Sequence, residues 1–252
     1  MKVEPATTRT SSRLNRDIEL PPAMKAQEAA ITSRTIAYCH EVLNRSHFFC
    51  LLKAETITPQ LMQYAFLQYH FWRDRLHQWF GLCIVKAGSC TDKDQKSAIM
   101  SLADHTFTDL QDSHSEMYLE FLHELGLSDT EIVVSQRSSA TASYERSFFD
   151  EFGYGTENFY EALAALSGRE LCVSIRNDRI LQSYFEARGM KHPTWLSLHA
   201  ELEVNHFQNS IRSVLAHYEE DSVKLTSVIK AIERGIERHV QYFDDLLHEY
   251  ES

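Results

Sequence analysis

The chain has 252 residues but only 8 glycines and 5 prolines, where average usage of about 7% and 5% would give roughly 30. This shortage of turn-forming residues excludes collagenous and low-complexity chains and argues against sandwiches, barrels and propellers. The formal net charge is -11 and no basic cluster is present, so we expect no nucleic-acid partner. At 43% hydrophobic residues the chain can bury a sizeable core. The composition therefore predicts an all-α globular protein.

The cysteines and the first residues of the chain predict a cytoplasmic protein. The 5 cysteines are odd in number and form no Cys-x-x-Cys pair, which indicates reduced thiols rather than disulfides or a zinc finger. Residues 1–22 lack the apolar core of a secretory signal, and no run of 18 apolar residues occurs, so we expect no membrane span. We expect residues 1–22 to form a surface tail or arm, followed by one helical domain over residues 23–252.

Apolar periodicity and capping residues divide this domain into helices. Thr58 and Pro59 suit a helix start, Gly126 suits a C-terminal cap, and Ser128 has capping-box spacing to Glu131. No repeat or shift in composition marks a second domain. The predicted helices cover about residues 24–43, 59–88, 92–111 and 113–126, a segment starting at 128, and about residues 156–188, 194–217 and 221–249.

The strongest local signal is the spacing His199-x-x-x-Glu203-x-x-His206 in the second-to-last predicted helix. At about 100° per residue the three side chains project from one narrow stripe, which also carries Trp195 and Val214. Two imidazoles and a carboxylate among apolar side chains are costly to bury, and a divalent metal ion is the usual compensation. The alternative is three polar residues on a partly exposed face.

Two other predicted helices carry a metal-ligating residue on the face that should be buried. His114 shares its face with Tyr118, and Glu170 aligns with the leucines of its own helix. His123 and Glu161 fall on the opposite faces of these helices, which is typical of solvated residues. A lone inward glutamate such as Glu170 is also compatible with a structural acid.

A common interior would receive donors from all three helices. The donors are His114, Glu170, His199, Glu203 and His206. A mixed set of imidazoles and carboxylates in a helical bundle suits a pair of iron or manganese ions, because carboxylates can bridge two metals.

A sixth ligand is expected at Asp104 or His105. Asp104 shares a helix face with Met100, whereas His105 shares a face with Ala98 and Leu102. Because both faces carry apolar side chains, the helical phase does not choose between the two residues.

The aromatic helix that begins at Pro59 should wall a pocket beside these donors. Arg73 on this helix could pair with a substrate carboxylate, although a surface salt bridge is the more common role of an arginine. The pocket residues of the helix would be Gln68, Tyr69, His70, Trp72 and Arg73.

Several motifs follow one another along the chain in the order found in a known protein family. They are Asn44-Arg-Ser-His47-Phe48, LMQYAFLQYHFW, Leu102-Ala-Asp104, Ser113-His114, Phe121-Leu-x-x-Leu-Gly-Leu127 and Glu161-Ala-Leu-Ala-Ala-Leu, followed by Glu170 and the His199 triplet. This series resembles the haem-oxygenase-like diiron oxidases, relatives of thiaminase II and pyrroloquinoline-quinone synthase. The resemblance covers most of residues 40–217.

The resemblance implies a single bundle of about seven helices that binds two Fe(2+) per chain. It implies that the metal ligands are Asp104, His114, Glu170, His199, Glu203 and His206, with Glu170 as a candidate bridge. Two positions depart from the family pattern. The family usually has Asp where Glu203 stands, and it has Glu where this chain offers Asp104 or His105, so the sixth ligand stays open.

The function implied by the resemblance is an iron-dependent oxidase or oxygenase that uses O2 on a small molecule. An amino acid or amine is favoured as substrate, with N-oxygenation, desaturation or oxidative C–C cleavage as the outcome. The alternatives are a fatty-acid oxidative decarboxylase of the same family, a metal-free enzyme similar to thiaminase II, and a non-catalytic helical binding protein. A homodimer is also expected from the resemblance.

Overall fold

The computed structural model describes residues 20–87, 93–111, 114–155, 158–218 and 221–252. Described residues contain no strand, which confirms the all-α prediction, and they include more α-helices than the seven expected because short ones join the long ones. The helices are α1 (Pro22–Arg45), α2 (His47–Lys53), α3 (Pro59–Arg73), α4 (Leu76–Val85), α5 (Lys93–Gln111), α6 (His114–Glu124), α7 (Asp129–Val134), α8 (Ser139–Phe148), α9 (Phe159–Ile180), α10 (Thr194–Tyr218) and α11 (Ser222–Glu251).

Capping side chains set many of the helix starts. The Thr58 side chain accepts a hydrogen bond from the Leu61 N–H at the start of α3, and Ser128 and Glu131 form the predicted capping box of α7. Gly126, which follows α6, has a φ of 94°, a conformation that glycine adopts without a Cβ penalty. The predicted starts and stops at these residues are confirmed.

The single helix predicted over residues 59–88 is wrong, because the chain breaks between α3 and α4. Arg75 leaves helical geometry, with φ -107° and ψ 7°, and its guanidinium lies 3.0 Å from the Glu145 carboxylate of α8. The Arg75 guanidinium also lies 5.7 Å from the Trp79 ring centre. Contacts distant in sequence therefore overrode the local helical propensity, which periodicity alone does not reveal.

The helix predicted over residues 156–188 is irregular at its C-terminal end. Asn158 caps α9, whose α-helical part ends at Ile180. The chain continues as a π-helical turn over Leu181–Phe185 and a 3-10 turn over Glu186–Arg188. None of the helices in the described residues is long and apolar enough to cross a membrane.

Helix α9 runs through the middle of the molecule. Almost every residue from Phe159 to Ile180 is buried, and α10 and α11 pack along it. Glycines allow the close approach of α11: a Cβ at Gly235 would lie 2.0 Å from the Ala165 carbonyl oxygen, and one at Gly168 would lie 2.7 Å from the Ile232 carbonyl oxygen. Each helix therefore presents a glycine where the other's backbone comes closest.

A network of polar side chains crosses the core between α8, α9 and α11. Arg176 is fully buried and donates to Asn177 Oδ1 and, over 3.0 Å, to His239 Nε2. Since a guanidinium can only donate, His239 Nε2 accepts and Nδ1 carries the proton, which it donates to the Tyr144 hydroxyl oxygen 3.0 Å away. Burial, and then the charges of Arg176 and Arg169, hold the pKa of His239 well below 6.5.

Replacing Gly235 by alanine is predicted to destabilise the protein. The added methyl would collide with the Ala165 backbone and force α9 and α11 apart, which should lower the free energy of unfolding by about 2–3 kcal/mol. Urea denaturation measures the change. Gly81→Ala in α4 is the control, because its Cβ meets nothing within 4 Å and should stabilise the protein by up to about 1 kcal/mol.

The free energy of unfolding should decrease as the pH is lowered, because His239 is neutral in the fold. The unfolded chain takes up a proton near pH 6.5 and the folded chain does not, so stability is complete above this pH and decreases below it. We expect His239→Gln to reduce the slope of unfolding free energy against pH by about 1.4 kcal/mol per unit between pH 5 and 6. An unchanged slope, or the same loss in the exposed control His248→Gln, would contradict this account.

Candidate metal centre

Four side chains from three helices meet beside α9. They are His105 of α5, Glu170 of α9, and Glu203 and His206 of α10. Each offers one ligand atom, and these atoms all lie within 4.8 Å of one another. We call this group the four-residue cluster.

The packing of α5 decides which of its residues enters the cluster. The face that carries Ala98 and Leu102 is buried, whereas Met100 and Phe107 on another face are 46% and 62% exposed. His105 lies on the buried side, with its ring 4.6 Å from Phe80 and its Nδ1 3.7 Å from a Glu170 carboxylate oxygen. His105 is thus the residue of α5 that the described structure brings to the cluster.

Glu170 confirms the prediction that an acid of α9 points inward. It is 3% exposed, and its carboxylate meets His105 of α5 and the Glu203 and His206 side chains of α10. By contrast, Glu161 forms the capping box at the start of the same helix, as expected of a residue outside the core. The buried carboxylate of Glu170 is costly to place there without a cation nearby.

The three predicted residues of α10 lie on one stripe, as the spacing requires. His206 Nδ1 lies 3.0 Å from a Glu203 carboxylate oxygen, and the His206 ring centre is 3.8 Å from that of His105. His199 lies one turn away, buried against the Trp195 ring at 4.7 Å. Its Nδ1–H donates to the Trp195 carbonyl oxygen over 2.8 Å, so in the neutral imidazole of His199 the lone pair is on Nε2, the nitrogen that would bind a metal.

The charge of Glu203 is maintained by the surrounding histidines. Burial raises the pKa of this carboxyl, but the hydrogen bond from His206 and the charges of His206, His199 and His105 outweigh it and lower the pKa to about 2. Glu203 is therefore ionised near neutral pH, the form in which a carboxylate binds a metal.

The remaining sequence predictions fall in different places. The side chains of Asp104 and His114 lie outside the described part of the structure. His123 is exposed and its Nε2 lies 2.9 Å from the Asp129 carboxylate, so it belongs to the solvated surface. Arg73 is buried rather than exposed, and it donates to the Ser115 hydroxyl over 2.6 Å.

Sequence reasoning missed a second arginine. Arg169, the residue before Glu170, is 2% exposed, lies 5.2 Å above the Trp72 ring and donates to the Tyr69 hydroxyl over 2.5 Å. Burial lowers its pKa, but Tyr69 and Tyr144, followed by Glu170 and Glu203, raise it overall. The sequence feature that could have revealed Arg169 is its position next to Glu170 in a helix that is apolar on nearly all sides.

The donor set of the cluster suits iron. Two imidazoles and two carboxylates match the nitrogen and oxygen ligands that iron and manganese take in proteins, and no thiolate belongs to the cluster. His206 and His105 keep 28% and 15% of their side-chain surface exposed, so the cluster is reachable from one side.

Comparison with known families gives an independent result. The model of a family described as iron-containing redox enzymes matches residues 61–246, which span all four residues of the cluster. The chain belongs to this family. No curated protein matches the chain.

Solved structures show the same fold. A domain of unknown function with a heme oxygenase-like fold from Shewanella denitrificans has a TM-score of 0.71 at 14% identity, over 92% of this chain and 95% of that one. A TenA homologue from Pseudomonas syringae has a TM-score of 0.69 at 12% identity, over 94% and 98%. A CADD-like protein of unknown function from Nostoc punctiforme has a TM-score of 0.68 at 15% identity, over 90% and 100%. The predicted haem-oxygenase-like fold is confirmed.

Proposed function

We propose that this member of the iron-containing redox enzymes is an O2-dependent oxidase or oxygenase that acts on a small molecule and holds two Fe(2+) per chain. The observation that carries the proposal is the four-residue cluster, in which three separate helices bring two imidazoles and two carboxylates within 4.8 Å. Such a group in a core costs several kcal/mol unless a cation balances it, so a purely structural role is a poor explanation.

Six positions enter the proposed ligand set, with Asp104 as the alternative to His105. His105, Glu170, Glu203 and His206 would hold the metal within the cluster, and His199 would extend the site along α10 through Nε2. We keep His114, at the start of α6, as a further ligand of the second iron. The buried face of α5 favours His105 over Asp104 for the remaining place.

The protein side chains prepare the site in three ways. Glu203 stays ionised, His206 is oriented by its hydrogen bond to Glu203, and His199 is held in one tautomer by the Trp195 carbonyl group. Aromatic rings of Phe80 and Trp195 pack against the histidines and exclude water. Bound iron would supply the O2 chemistry, which no protein side chain provides.

The metal-free hydrolase is the weaker alternative. Such an enzyme needs an activated cysteine, but burial, followed by a smaller contribution from Glu170, raises the pKa of Cys83 to about 12. Lys86 lowers this pKa without overcoming the effect of burial. The Cys83 thiol is therefore protonated near neutral pH and is a poor nucleophile. Cys90 lies outside the described residues.

The expected homodimer and the expected cytoplasmic location stay predictions.

Anaerobic titration with Fe(2+) tests the proposal. We expect two irons to bind per chain, with a visible absorption band that appears only after O2 is added. The double variant His199→Ala with His206→Ala should lose both, whereas His123→Ala, an exposed histidine, should behave as the parent chain. No iron binding by the parent, or full binding by the double variant, would refute the proposal.

A pair of adjacent substitutions separates the two candidates on α5. His105→Ala should weaken iron binding by at least about 100-fold, since the loss of second-sphere partners alone typically costs 10- to 100-fold. Asp104→Ala should leave the affinity within a few-fold of the parent. The reverse order, measured in the same titration with circular dichroism to verify folding, would assign the ligand to Asp104.

A further inference from the structure

Two buried arginines of α9 form no ion pair with any described residue. Arg169 and Arg176 are 2% and 0% exposed, and no carboxylate among the described residues lies within ion-pair distance of either guanidinium. Both contact Tyr69: Arg169 donates to its hydroxyl, and Arg176 lies 4.8 Å from its ring centre. Buried charges are normally paired, so these two cations call for an explanation.

Several buried hydrogen-bond donors in this part of the core lack acceptors among the described residues. The Nε of Arg169 has no acceptor among the described residues, and the same holds for the indole N–H of all three tryptophans of the chain, Trp72, Trp79 and Trp195. Trp72 lies below the Arg169 guanidinium and stacks on Trp79 at 5.0 Å. Trp195 is 6.3 Å from Tyr69, the partner of Arg169.

All four of these atoms are donors, so any group that satisfies them must accept hydrogen bonds. Buried donors rarely remain unsatisfied in native proteins, and an unfilled set indicates water or a ligand. Water would satisfy the neutral indoles but would leave the charge of Arg169 uncompensated. A carboxylate supplies both acceptor atoms and the opposite charge, and it matches the two-pronged geometry of a guanidinium.

Charge balance links this region to the metal. Without a metal, the carboxylates of Glu170 and Glu203 supply negative charge that offsets the buried Arg169 beside them. A dication bound by these carboxylates would consume that compensation, and the core would then carry excess positive charge. An anion next to Arg169 restores the balance.

We propose that Arg169 binds the carboxylate of the substrate and so directs the rest of the molecule toward the cluster. This inference rests on the proposed function and deepens it: the substrate is a carboxylic acid, which favours an amino acid or a fatty acid over a simple amine. Arg169 takes the role that the sequence suggested for Arg73, which is instead bonded to Ser115.

The three tryptophans provide a readout that needs no turnover. Their fluorescence is followed while hexanoate, hexanamide, L-norleucine or L-norleucinamide is added to the metal-free protein and to the protein loaded with redox-inert Zn(2+). We expect at least one acid to bind about tenfold more tightly than its amide, the factor typical of one charge-assisted hydrogen bond. The Zn(2+)-loaded form should show the larger preference, and the two acids distinguish a fatty-acid site from an amino-acid site.

Variants identify the residue responsible. Arg169→Met should abolish the preference for the acid, and Arg169→Lys, which keeps the charge in a shorter side chain, should reduce it. The matched control is Arg34→Met, which removes a 59% exposed guanidinium that pairs with Glu233. Arg169→Lys also keeps the test valid if the methionine variant does not fold.

Two results would overturn the inference. One is equal binding of acid and amide in both protein forms, as expected if water alone satisfies the donors. The other is a preference for the acid that Arg169→Met leaves intact. A parent chain that binds no iron but prefers the acid would refute the proposed oxidase and leave the carboxylate site standing, so the two failures are distinguishable.

Discussion

Helix α9 carries Arg169, Glu170 and Arg176 through a core that excludes water, and the polar atoms of each side chain need partners on neighbouring residues. These partners come from different directions. Glu170 faces His105 of α5 and the acidic and imidazole groups of α10, whereas Arg176 is held by Asn177 and the neutral His239 of α11. The need to satisfy charge on a buried helix thus determines which side chains its neighbours must present.

The position of α9 depends on small residues as much as on charges. Gly168 and Gly235 let the α9 and α11 backbones approach more closely than any side chain allows, which places His239 within hydrogen-bond distance of Arg176. The other side of α9 packs against α10, whose His199 and Glu203 are buried. The same packing therefore builds both the polar network and the candidate metal centre, and damage to one should be felt in the other.

Under the two proposals, the candidate centre and the arginine region perform separate tasks. The histidines and carboxylates of α5, α9 and α10 offer ligands on the side where His206 is partly exposed. Arg169, next to Glu170 in the chain, lies over the Trp72 ring in a part of the core where buried indole N–H groups lack acceptors among the described residues. A carboxylic acid held there would meet the metal with its remaining atoms, which is why the two proposals fit together without depending on the same measurement.

The sequence by itself determined the fold class, most helix boundaries and the inward direction of Glu170, His199, Glu203 and His206, because helical periodicity and capping are local properties. It left His105 and Asp104 undecided, since both faces of α5 carry apolar residues and only packing shows which face is covered. It also missed the break before α4 and the burial of Arg169. Those features depend on Glu145, Tyr69 and Trp72, which lie far from them in the chain, and only the tertiary structure brings such partners into contact.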